Sequence, residues 1–100
     1  VAAAAQLTLA EFATGQWLHD TFPDLAEHVI PMLRTSQVKF KQPATGRVRA
    51  QVRMSGDMVT HVRTELTARK RALCSIAVIL VNDANEVVMT GTFDWFLALK

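Results

Sequence analysis

The stretch AAAAQLTLAEFATGQWL, residues Ala2 to Leu18, decides how the rest of the chain must fold. Four alanines, Leu7 and Leu9, with no proline before Pro23, predict a helix from about Ala2 to His19. Its polar residues do not collect on one wide face. A helix that is apolar nearly all round is normally buried, so the remaining elements are expected to wrap it. Thr14 and Gly15 weaken it near its end, where Gly15 leaves room for close backbone approach. Glu11 stands among Leu7, Leu9, Phe12 and Ala13, where an unpaired charge is expensive to bury, so this carboxylate calls for a reason.

Beyond the helix, Asp20 to Ile30 reads as a loop with a turn of helix opened by Pro23 and Asp24 and stopped at Pro31. RTSQVKFKQ then alternates Ser36, Val38 and Phe40 with Gln37, Lys39 and Lys41, the period of a half-buried strand, until QPATG breaks it. GRVRAQVRM alternates most cleanly, with Val48, Ala50, Val52 and Met54 on one face and Arg47, Arg49, Gln51 and Arg53 on the other. DMVTHVRTELTA spaces Met58, Val59, Val62 and Leu66 for a short amphipathic helix capped by Ser55, with an irregular strand as the alternative. ALCSIAVILV, Ala72 to Val81, is apolar at every second position of both faces, as in a strand covered on both sides. After the turn residues NDAN, EVVMTGTFDWFLAL returns as a second long strand, and Gly91 is expected to mark a bend or bulge. The order defines one α+β domain over residues 1–100, a helix against a curved antiparallel sheet.

The totals narrow the function classes. With 50% hydrophobic and 20% charged residues the chain is globular, and no run approaches the roughly 20 apolar residues of a membrane span. No basic segment opens the chain as in a signal peptide, and the lone Cys74 lies in an apolar run, which fits a cytoplasmic setting. His19, His28 and His61 have no partners at metal-ligand spacing, and NDANE lacks the length and glycine of a calcium loop, so no metal is expected. Neither a phosphate-binding glycine loop nor a serine-nucleophile elbow is present. The net charge is only +2, yet basic residues bunch at Lys39, Lys41, Arg47, Arg49 and Arg53 and again at Arg63 to Arg71. They form either solvated strand faces or an anion-binding patch. Nucleic acid is disfavoured because the aromatics show no stacking pattern among the basic residues.

A helix with LAEFATG, a basic pair of strands through VKFKQPATGRVRAQV and a hairpin with VILVNDANEVVMTGTFDWF together resemble the hotdog-fold thioesterases. The similarity spans Ala2 to Phe96 and is greatest to the phenylacetyl-CoA thioesterase-like branch and its uncharacterised relatives. This resemblance implies a sheet wrapped around the central helix, a homodimer or tetramer, and an acyl-CoA or acyl-carrier thioester as substrate, with no cofactor. It also implies that a helix carboxylate, here Glu11, acts as nucleophile or general base. Relatives usually carry a strand and a polar turn before the helix, and that segment is not in this sequence.

Around Glu11, Thr8 and Gly15 stand within one helical turn and are candidates to line the acyl site. Arg47 and Arg49 are candidates for the carrier's phosphates, which suit guanidinium forks. Each has a plainer alternative: a satisfied structural carboxylate for Glu11, helix packing for Thr8 and Gly15, and solvation for the arginines. At the level of function, the alternative is a non-catalytic hotdog module that binds an acyl ligand or mediates assembly. At the level of fold, it is the cone-shaped helix-and-sheet architecture of the nuclear-transport-factor-like group.

Overall fold

A computed structural model describes residues 3–44 and 46–100. The expected helix start at Ala2 and Thr45 of the QPATG break lie outside them. The elements in chain order are helix α1 (Ala3–Thr21), a 3-10 turn (Pro23–Leu25), strands β1 (Val29–Phe40) and β2 (Val48–Arg53), helix α2 (Gly56–Arg69), and strands β3 (Arg71–Asn82) and β4 (Val87–Leu99). The strands form one antiparallel sheet in the order β1-β4-β3-β2. Both helices pack on one face of it.

α1 is buried less completely than its composition predicts. Only Gln6, Ala10, Thr14 and Leu18 are buried, a stripe repeating every four residues, while Phe12 remains 67% exposed. The reason is geometric: a four-stranded sheet in a single chain covers one side of a helix. Alanine-rich flanks then face outward at small cost, because an alanine presents little apolar surface.

The core has two connected parts. Leu18 and Phe22 of α1 and its exit pack with Val62 and Leu66 of α2 on Ala72, Cys74, Ile76 and Leu97. Ala10 packs with Ala44, Val78, Leu80, Val88, Met89 and Phe93. Trp95 is packed against both parts. Cys74 is fully buried among apolar neighbours, which pushes its thiol up to about 11, so it is an inert core residue as its sequence context suggests.

Several boundaries differ from expectation for identifiable reasons. β1 begins at Val29 and runs through Pro31, since β1 is an edge strand and an edge tolerates a residue without an N–H. α2 is a helix, with Ser55 at its N-cap but without a side-chain capping bond. β3 alternates buried and open positions: Ala72, Cys74, Ile76, Val78 and Leu80 face the helices, whereas Leu73 is 46% exposed. One face of β3 is therefore uncovered by the chain itself. The bulges fall at Arg34, between Leu33 and Thr35, and beside Leu80 and Val81. Gly91 instead stays in register opposite Val38 and Val78, where it makes space for Val38 and Phe93.

Candidate functional site

Where the C-terminal half of α1 leaves the sheet, a cavity of about 160 Å³ opens between α1, the 3-10 turn, the start of β1 and α2. Gly15, Leu18, His19 and Phe22 form its helix wall, and Trp95, Leu97, Val29, Pro31, Leu25, Ala26 and Leu66 complete it. His19 is the only titratable side chain among these. A cavity of roughly 150 Å³ with apolar walls holds a benzene-sized molecule, so this one suits an apolar group of about that bulk.

The walls are held by specific contacts. Trp95 Nε1 donates to Thr14 Oγ1 at 2.9 Å, and Thr14 Oγ1 donates in turn to the Glu11 carbonyl oxygen at 2.8 Å. A Cβ built on Gly15 would stand 3.6 Å from the Trp95 ring, an ordinary contact, so the helix approaches the indole closely at this point. Phe22 meets Trp17 edge to face at 6.1 Å and lies under the Arg63 guanidinium at 5.0 Å. Arg63 also grips Asp24 through two bonds of 3.0 Å, which ties the 3-10 turn to α2. That fork holds the Asp24 carboxyl below its ordinary value and raises the guanidinium correspondingly.

The residues singled out from sequence fall into three places. Gly15 lines the cavity. Glu11, four residues before it, stands one helical turn (about 5.4 Å) further along α1 on the same side, with its carboxylate exposed. Its exposure differs from the embedding that its neighbours in sequence suggest, because Phe12 and the other flank residues of α1 are themselves uncovered. Thr8 is also exposed, donates to the Ala4 carbonyl at 2.9 Å, and borders a shallow apolar depression with Ala4, Ala5, Leu9 and Phe12. Arg47 and Arg49 are exposed at the β2 end of the sheet, away from the cavity. Arg49 is bonded to the Asn82 carbonyl oxygen and to Asn85 Oδ1 in the β3–β4 turn. Among the described residues no group of histidine, cysteine or carboxylate side chains could hold a metal, and no helix is long and apolar enough to cross a membrane.

Trp95, Leu18 and Phe22 are cavity residues that sequence patterning ranks only as core. The one signal for Trp95 is chemical: an indole N–H in a buried strand needs an acceptor. Its acceptor lies 81 positions away, beyond the reach of any local pattern.

Comparison with known proteins places this architecture among the hotdog folds, as α1 cradled on a curved antiparallel sheet indicates. Residues 1–97 match the family DUF4442, a domain of unknown function, and the chain belongs to that family. No curated protein matches it. Among solved structures it is similar to PA5026 of Pseudomonas aeruginosa, called a protein of unknown function and a probable thioesterase. The identity is 25% and the TM-score 0.87, over 100% of this chain and 66% of that one. It is also similar in fold to the BH2602 protein of Bacillus halodurans, solved with CoA, at 20% identity and a TM-score of 0.65, over 97% of this chain and 55% of that one. The chain thus spans about two thirds of the first protein and just over half of the second.

Proposed function

We propose that this chain acts as an acyl thioesterase in which Glu11 is general base or nucleophile and the cavity at Gly15 receives the acyl tail. The observation that carries this reading is a carboxylate one turn of helix from Gly15, which lines an apolar cavity. A tail buried at Gly15 brings its thioester carbonyl back along α1 toward Glu11. Glu11 either takes a proton from a water that attacks the carbonyl carbon, or attacks that carbon itself to give a mixed anhydride that water then hydrolyses; in both cases the carrier thiolate leaves. The name given to PA5026 and the CoA held by BH2602 support the same class of chemistry.

In this reading a second copy covers the exposed side of α1, in a homodimer or tetramer. Phe12 beside Glu11 is 67% exposed, apolar surface that a partner would remove from water. Cavity size favours tails near the bulk of a six-membered ring over long chains.

Thiol release from short, medium, long and aromatic acyl-CoAs tests the proposal, with Glu11→Gln alongside. The expected result is turnover that falls by about 10²–10⁴-fold in the variant, at unchanged circular dichroism. Saturable acyl-CoA binding without turnover would replace it with the non-catalytic binding module, a reading the solvent exposure of Glu11 favours.

A further inference from the structure

On the opposite face of the sheet, the bulge at Arg34 interrupts the pairing of β1 with β4 and turns this guanidinium over the Phe96 ring, 5.7 Å from its centroid. Phe96 pairs with Leu73 of β3, and the two form the floor of a groove. Arg34 stands on one side and Arg71 at the end; on the other side, along the edge that β3 leaves free before its pairing with β2 begins at Ala77, stand His61, Glu65 and Arg69, which repeat every four residues along α2.

The charge in this groove is unbalanced. Glu65 is its single carboxylate and is bonded to Arg69 at 3.3 Å. Asp94, two residues before Phe96, already accepts from Ser75 Oγ at 2.6 Å and Thr35 Oγ1 at 2.5 Å. Arg34 and Arg71 have no carboxylate within ion-pair distance among the described residues. Leu73, 46% exposed, lines the same groove as these arginines and gives it an apolar floor. The combination suits a ligand with a flat apolar body and several anionic oxygens, since guanidinium forks match phosphate oxygens and also stack on planar rings.

We propose that the Arg34–Arg69–Arg71 groove binds a nucleotide, an aromatic base carrying two or more phosphates, with the base over Leu73 and against the Arg34 guanidinium that covers Phe96, and the phosphates on Arg69 and Arg71. A free nucleotide and the nucleotide end of coenzyme A share this chemistry. The free-nucleotide source does not depend on thioester hydrolysis, whereas the coenzyme A source rests on the thioesterase reading above.

The test is titration of the whole chain with ADP at low ionic strength, followed by calorimetry and by backbone amide NMR, with pyrophosphate and adenosine as partial ligands. ADP is expected to bind more tightly than either and to shift the amides of residues 69–73 and 96. Its affinity should fall at least about tenfold in the exposed double variant Arg34→Glu/Arg71→Glu. Coenzyme A displacing ADP from the same amides assigns the site to the carrier; ADP binding that coenzyme A does not displace assigns it to a free nucleotide. Shifts confined to residues 47–49, equal affinity for pyrophosphate, or self-association of the groove without any response to ADP would each overturn the proposal. The wild-type amide map answers the question even if the double variant does not fold.

Discussion

Trp95 and Thr14 are joined by an indole-to-hydroxyl bond of 2.9 Å that fixes β4 to the middle of α1. Thr14 is fully buried, and Trp95 packs against both parts of the core while forming one wall of the cavity. The same hydroxyl serves as acceptor for the indole and donor to the Glu11 carbonyl, so a single side chain sets the distance between helix and sheet next to the proposed catalytic residue.

Thr14→Val keeps the shape of this side chain and removes both bonds, which leaves the indole N–H without its acceptor. The expected loss is about 1–3 kcal/mol, and Tm should fall by roughly 5–15 °C in a domain of this size. Thr14→Ser retains the hydroxyl and should remain much closer to the parent. Thermal unfolding of the three proteins checks the ordering, and equal losses for Val and Ser would show that packing rather than the bond matters.

Asp94 gives the fold a defined acid sensitivity. The Ser75 hydroxyl first and the Thr35 hydroxyl second hold its carboxyl below the ordinary range. A carboxylate with a depressed folded-state value stabilises the fold above its unfolded value, near pH 4, and loses that contribution as pH falls through the folded value. Asp94→Asn should flatten the decline in stability below pH 4 while leaving the fold intact. Urea midpoints measured from pH 6 down to pH 2 would reveal it, and parallel curves would remove Asp94 from the acid response.

Gly91 is required by packing. A Cβ there would approach Val38 Cγ1 to 3.1 Å and Phe93 Cε1 to 3.2 Å, and Phe93 is fully buried. Gly91→Ala gains unfolded-state entropy of about 0.4–1 kcal/mol but overpacks a tight site, which typically costs about 1–3 kcal/mol. A net loss near 1 kcal/mol is expected from chemical denaturation. A stabilised variant would mean that Val38 on the open edge strand yields freely.

Arg47 and Arg49 offer a direct test of carrier recognition. If they meet the phosphates of the carrier, reversal of both charges should raise the KM for acyl-CoA about tenfold or more with little change in kcat. Arg49 also braces the β3–β4 turn through Asn82 and Asn85, so the melting temperature should be recorded with the kinetics. An unchanged KM would return both residues to solvation and bracing of the turn.

Much of the fold was legible in local chemistry. The alanine-rich start of α1, the Arg-Val alternation of β2, and the NDAN turn between β3 and β4 each express a backbone preference or a period within a few residues, so the elements and their order follow from sequence. Boundaries that depend on neighbours did not follow: Pro31 is compatible with a strand only because β1 lies at the sheet's edge, and Gly91 is unbulged only because Val38 and Phe93 fill its space.

The candidate site divides the same way. Sequence alone determined that a carboxylate, Glu11, sits in the middle of a largely apolar helix one turn from Gly15, because helical spacing is fixed by the 3.6-residue repeat. Only the tertiary structure decided that Glu11 is exposed, that Arg47 and Arg49 lie away from the cavity, and that Trp95 and Phe22 wall it. Burial and cavity shape depend on which distant surfaces meet, and the contact between Thr14 and Trp95 is made across 81 residues that no local period records.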